Sequence, residues 1–176
     1  MKKVRGNIIL KRVKRMVFHP QGLSRELDED IREMQQPDLR RRQIYMSPDE
    51  FLRSTYFQYG LTDPSISRIG FKTYQDSFIR DTRGRRDTSE SLRQKIRNKD
   101  ILIDAPYLYL DKGIPINHEG RHRALAAKEE HMNRIPVIIV YKPRDEKSSE
   151  VMGFKDIERN VRQTRWGQRL QRARTR

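Results

Sequence analysis

Apolar residues are unevenly spread along the chain. Positions 101–140 hold 20 residues of the Ala, Val, Ile, Leu, Met, Phe, Trp, Tyr and Cys set in 40, against 40 in the other 136. That block therefore supplies most of the buried centre. Short β-branched and aromatic runs bounded by Pro and Gly read as strands. Ile101-Leu102-Ile103 is one, and Pro106-Tyr107-Leu108-Tyr109-Leu110 turns through Asp111-Lys112-Gly113 into Ile114-Pro115-Ile116. Ala124 to Glu130 consists of strong helix formers. Ile135-Pro136-Val137-Ile138-Ile139-Val140 reads as a final buried strand, with Pro136 near its start, where a missing N–H is tolerated. Strand, hairpin, helix and strand in this order predict an α/β (α+β) unit with a small mixed sheet and flanking helices.

Upstream, Ser47-Pro48-Asp49-Glu50 predicts a helix start: serine caps, proline fits the first turn, and Glu50 completes a capping box. Phe51, Leu52, Thr55, Tyr56 and Tyr59 follow, and Gly60 is expected to close the helix in a left-handed conformation. Asp87-Thr88-Ser89-Glu90 predicts a second start leading into Leu92 and Ile96. Arg80 to Arg86 is polar without a core face and predicts an exposed loop. Residues 26–40 predict a helix ending before Pro37. There is no internal repeat.

Charge changes this picture. The 176 residues carry 39 Lys or Arg and 24 Asp or Glu, a net charge of +15. Residues 1–25 hold eight bases and no acid (+8), and residues 155–176 hold eight bases and two acids (+6). The 129 residues between them hold 23 bases and 22 acids (+1). A nearly neutral body is flanked by two basic ends, the electrostatic footprint of polyanion binding. Arg159, Arg162, Arg165, Arg169 and Arg172 lead the C-terminal set, and the guanidinium fork suits phosphate. Trp166 among them suits either stacking on a base or anchoring the tail to the body. An anionic membrane is disfavoured, because Ile157, Val161 and Leu170 make a thin apolar face and Gly167 weakens the helix.

The absence of cysteine excludes disulfides, thiolate metal sites and a cysteine nucleophile. No apolar run approaches the ~18 residues of a membrane span. Lys11, Arg12, Lys14 and Arg15 interrupt any signal-peptide core. The expected location is cytoplasmic or nucleoid-associated, or the inside of a virion.

The chemistry-bearing stretch is Ile114 to Ala124, where a strand meets a glycine-containing turn that opens an alanine-rich helix. Helix N-termini offer unpaired N–H groups and a positive dipole end. Gly120 allows close approach of a ligand, Arg121 and Arg123 supply charge-assisted donors, and His122 lies between them. Glu119 is placed to cap the helix, orient a base or carry a metal, and is the candidate catalytic residue. Glu50 is a helix cap first and a catalytic candidate second. The alternative is a capped helix whose arginines merely face solvent. His118-Glu119-Gly120-Arg121-His122 also matches H-E-x-x-H, whose zinc chemistry needs both histidines on one helical face. Pro115 and Gly120 predict a helix beginning near 119–121, which splays the pair, so no metal site is expected. His19 and His131 read as structural or solvated.

The Gly120-Arg121-His122-Arg123-Ala124-Leu125-Ala126-Ala127 box, followed by the Ile-Pro-Val strand, resembles the ParB/sulfiredoxin-like superfamily. Ser89 to Lys99, Tyr107 to Leu110 and Met46 to Leu52 resemble its preceding elements. The resemblance covers roughly residues 44–142. It implies a basic N-terminal extension at 1–43, the domain at 44–142, and a linker with an Arg-rich tail at 143–176. It further implies nucleotide or nucleic-acid phosphate binding at residues 120–123, with a nucleoside triphosphate and Mg2+ as cofactor and DNA as partner. Sulfiredoxin's catalytic cysteine falls where Arg121 stands, which excludes that reaction. Three functions follow as expectations: a DNA-associated binding protein, a nucleotide-dependent phosphotransferase or nuclease-like enzyme, or a virion or scaffold component whose basic arms neutralise packaged nucleic acid.

Overall fold

A computed structural model describes residues 18, 25–33, 38–83, 86–98, 103–143 and 153–168. Its elements in chain order are α1 (Arg25–Glu33), β1 (Arg40–Met46), α2 (Pro48–Thr62), α3 (Pro64–Arg68), α4 (Phe71–Arg83), α5 (Arg86–Asn98), β2 (Tyr107–Asp111), β3 (Ile114–Glu119), α6 (Arg121–Glu129), β4 (Ile135–Tyr141) and α7 (Phe154–Gln163). The four strands form one mixed sheet in the order β1-β4-β2-β3. β4 lies antiparallel to β1, with Met46 opposite Ile135, and parallel to β2, with Tyr107 level with Ile138. The β2–β3 hairpin turns through Lys112 (φ 50°) and Gly113 (φ 76°), a type I′ geometry that matches the right-handed strand twist. The architecture is a small mixed α/β domain with flanking helices. Among the described residues, no helix is long and apolar enough to cross a membrane.

Alternation along β4 assigns its side chains to two cores. Ile135, Val137, Ile139 and Tyr141 join Leu108, Leu110 and Met46 beneath Phe51, Leu52, Ala124, Ala127, Ile157 and Val161, which belong to α2, α6 and α7. Ile138 and Val140 join Tyr107 and Tyr109 beneath Leu27 of α1. All seven residues of β4 are buried, so both faces of the sheet are covered. Opposite charges fasten the periphery. Arg93 and Arg97 of α5 reach Glu130 after α6 (3.1 and 2.9 Å), and Arg41 of β1 reaches Asp28 of α1 (2.6 Å).

Several sequence expectations need correction. The 143–176 segment is not a free linker and tail. Ile157, Val161 and Trp166 enter the main core, so the same body continues through the described residues to 168. The N-terminal boundary at 43/44 also cuts through β1, and Phe18 and Leu27 upstream of it are buried. Residues 80–83 belong to α4 rather than to a loop. Ile101 and Leu102 of the expected first strand lie outside the described residues, while Ile103 forms a parallel bridge with Phe18.

Gly60 does not end α2, which continues to Thr62 and is capped by Asp63. The glycine is instead the seat of Trp166: a Cβ there would meet the indole Cζ2 at 2.4 Å. The indole also meets Tyr56 and Phe57 edge-on, with ring centres 5.8 Å away in each case. Thr164 positions it by accepting from the Gly167 N–H (3.1 Å) at the start of the turn 165–168. The tryptophan is thus the anchor of the C-terminal segment and is not available to stack on a base. Its surroundings predict an emission maximum well to the blue of the unfolded protein. Gly60→Ala should shift it red and lower stability by roughly 1–3 kcal/mol, the usual cost of overpacking, measured by urea unfolding followed through this single tryptophan.

Candidate functional site

The turn from β3 into α6 is made possible by Gly120, whose φ of +99° lies in the left-handed region. Space demands glycine as well: a Cβ would stand 2.4 Å from Pro106 Cβ and 2.8 Å from its Cα. The close approach expected of a ligand at Gly120 is made by Pro106, which corrects that reading. α6 then begins with no side-chain cap and no acid in its first turn. Its opening amides therefore lack intrahelical partners and carry the positive end of the helix dipole.

Arg121, the first residue of α6, leans toward α2 and α4. Its guanidinium carbon lies 5.0 Å from the centre of the Tyr59 ring and 4.5 Å from that of Phe78, a cation held between π faces. One terminal nitrogen donates to the Tyr74 hydroxyl at 3.3 Å. Among the described side chains no carboxylate pairs with it. Burial raises the Tyr74 pKa, while the hydroxyl's contacts with Thr55 and Arg121 oppose the rise, so the phenol stays protonated and brings no negative charge to the arginine.

His118, at the end of β3, completes this corner. Its ring is buried, meets Tyr59 edge-on at 5.3 Å between centres, and places Nδ1 against Gln58 Oε1. Burial first, and the Arg121 charge second, push its pKa down to about 3. The imidazole is therefore neutral at physiological pH and leaves Arg121 as the cation of the corner. His122 packs against Phe78 with ring centres 5.1 Å apart. Since α6 starts at Arg121, His118 sits on a strand and His122 on a helix, as Pro115 and Gly120 suggested. No group of three or more His, Cys, Asp or Glu among the described residues could hold a metal ion.

The two arginines of the box do not converge. Arg123 is only 8 % exposed and turns the other way, donating to the Asp104 carbonyl at 3.1 Å. Its second nitrogen lies 3.7 Å from Glu119, whose carboxylate is otherwise exposed. Arg123 thus ties α6 to the segment before β2, and its expected role as a phosphate clamp is corrected accordingly. Glu50 is committed as a cap, accepting from the Ser47 N–H at 2.7 Å while Ser47 Oγ accepts from the Glu50 N–H. In the C-terminal set, Arg159 pairs with Asp156 (2.6 Å) and Arg162 with Glu158 (2.9 Å) along one exposed helix face. Arg165 is exposed, and Arg169 and Arg172 lie outside the described residues.

Tyr74 and Phe78 are the site residues that sequence reasoning missed. Phe71, Tyr74 and Phe78 recur at helical spacing, and that was the available signal. Comparison of the chain with family models, with curated proteins and with solved structures finds no match.

Gly120→Ala should destabilise the fold by about 3 kcal/mol, combining left-handed strain of about 1–2 kcal/mol with overpacking against Pro106, as read from the urea midpoint. His118 supplies a pH dependence. A ring whose folded pKa is about 3, against 6.5 when unfolded, contributes stability that is full above pH 6.5 and declines as pH falls toward 3. Between pH 6.5 and 5 the loss should be about 2 kcal/mol. His118→Asn should flatten the stability profile across that window.

Proposed function

We propose that the protein binds the phosphate of a nucleotide or nucleic acid at the start of α6, with Arg121 as its principal ligand and the basic termini as a second, sequence-independent attraction. The observation that carries this reading is the state of Arg121. Its guanidinium is half-buried, oriented by two rings and a hydroxyl, and stands beside uncapped helix amides without a carboxylate partner among the described side chains. An anion entering there gains charge-assisted hydrogen bonds from a donor that is already oriented. The neutral His118 leaves the positive charge of this corner to Arg121 alone.

The order β3, left-handed glycine, α6 and Ile-Pro-Val strand supports placing this chain near the ParB/sulfiredoxin-like superfamily, and DNA is the partner proposed on that basis. A nucleoside triphosphate fits the same end of α6 through its phosphates. Mg2+ would arrive bound largely to phosphate oxygens, as this ion commonly does.

Three measurements test the reading. In fluorescence anisotropy with a labelled oligonucleotide, Arg121→Ala should weaken binding by ten-fold or more, since one charge-assisted bond contributes roughly 1.5–3 kcal/mol. Unchanged affinity in a folded Arg121→Ala protein would overturn the assignment. Arg123→Ala should instead lower thermal stability, because it removes the hydrogen bond to the Asp104 carbonyl and the contact with Glu119. Separately, replacing Arg169, Arg172, Arg174 and Arg176 by Gln should flatten the dependence of log affinity on log salt. An unchanged slope would remove these arginines from the interface.

A further inference from the structure

β1 forms one border of the sheet, with β4 on its inner side and no described strand on its outer side. Hydrogen-bond parity decides which of its peptide groups face outward. The Ile138 N–H donates to the Pro106 carbonyl, so the peptide groups of Ile138 and Val140 turn toward β2. Peptide groups of successive residues alternate in direction along a strand, so those of Ile135, Val137, Ile139 and Tyr141 turn toward β1. Their partners Met46, Ile44, Arg42 and Arg40 close the ladder. The N–H and C=O groups of Arg41, Gln43 and Tyr45 therefore point away from the sheet. One of them is taken: Arg134 donates to the Tyr45 carbonyl at 2.8 Å and stops the edge at that end. Among the described residues the other outward groups have no partner. Arg40 and Arg42 stand exposed on the face that Ile44 and Met46 continue into the main core. On the other face Arg41 is tied to Asp28 at 2.6 Å, and Tyr45 is one of two large hydrophobic side chains exposed among the described residues.

We infer that this edge takes up an extended acidic segment of a partner protein, which joins the sheet as a strand beside β1. The inference does not rest on the phosphate reading of Arg121. The outward N–H and C=O groups supply main-chain hydrogen bonds, the recurring source of affinity in strand addition. Side chains of an added strand alternate between the two faces of the sheet. Those on one face meet Arg40 and Arg42, where Glu or Asp fits, and those on the other cover the Tyr45 ring, where an apolar residue fits. The preferred segment thus alternates acidic and apolar residues. Charge selects this occupant over a second copy of the chain. Cations along an edge strand guard it against its own kind, and a second copy brings the same three arginines on a body of net charge +15. A polynucleotide satisfies the arginines, but its phosphates offer no donor to the outward carbonyls of Arg41 and Gln43.

The test titrates the full chain with a fluorescein-labelled peptide of five Glu-Val repeats, and with a second peptide of identical charge whose three central valines are proline. Proline lacks the N–H that strand addition needs. Wild type should bind the first peptide ten-fold or more tightly than the second. On binding, amide hydrogen exchange at Arg41, Gln43 and Tyr45 should slow, while Arg42 and Ile44, already in the ladder, keep their rates. Gln43→Pro removes an outward N–H and no ladder bond, so it should fold and lose about ten-fold in affinity. The Arg40→Gln/Arg42→Gln variant should lose a similar factor and show a weaker dependence on salt. The exchange pattern of wild type decides the matter where a variant fails to fold. Equal affinity for the two peptides means that charge alone attracts them, and strand addition is wrong. Slowed exchange at the same three amides in concentrated protein without peptide, with a dimer in sedimentation, gives the edge to a second copy and overturns the acidic partner. The same slowing by a 12-nucleotide thymidylate, with none by the peptide, gives it to nucleic acid and overturns the proposal too. No binding, or unchanged exchange with the peptide bound, removes this edge as a docking site.

Discussion

The strand Ile135–Tyr141 is buried at every position, and the placement of the other elements follows from what covers it. Its edges are closed by β1 on one side and β2 on the other. Its odd-numbered residues require a roof, which α2, α6 and α7 supply, and Ile138 and Val140 require a floor, which α1 supplies. A strand that is apolar on both faces cannot tolerate one exposed face, so the neutral central block recruits pieces of both basic ends. Phe18 comes from one end, and Ile157, Val161 and Trp166 from the other.

The same constraint sets the chemistry of the corner. α6 has to cross from β3 to β4 over one face of the sheet, and the tight entry at Gly120 against Pro106 fixes where the helix begins. That start turns Arg121 toward the aromatic side chains of α2 and α4 and turns Arg123 inward to the Asp104 carbonyl. One arginine becomes part of the scaffold, and its neighbour two positions away keeps its charge unopposed by any carboxylate among the described side chains. The buried, neutral His118 is the third consequence. Packed on Tyr59 and Gln58, it walls the corner without adding charge.

Much of this architecture could be read from residue order. The Ser47–Glu50 box, the Lys112-Gly113 hairpin, the alanine-rich helix and the Ile-Pro-Val strand each follow local rules, and tertiary context agrees with them. β1 was missed because an edge strand needs only one covered face, and Arg40-Arg41-Arg42-Gln43 shows no apolar alternation. α4 was missed because its apolar positions are sparse, and its polar residues 80–83 read as part of a loop. Gly60 looked like a helix terminus because its real cause, an indole more than 100 residues away, is invisible locally. The box was found as a motif, but which of its arginines turns inward depends on Pro106 and Asp104, and no spacing rule encodes those contacts.

The central claim is that Arg121 meets a phosphate directly. The most direct measurement is the NMR response of its guanidinium Nε–H, and of the backbone amides of Arg121 and His122, as inorganic pyrophosphate and then a short oligonucleotide are titrated into isotope-labelled protein. The account predicts saturable shifts at these three groups at matched ligand ratios, with the Arg123 guanidinium unmoved. Shifts confined to residues 1–25 and 159–176, with the α6 groups silent, would contradict it.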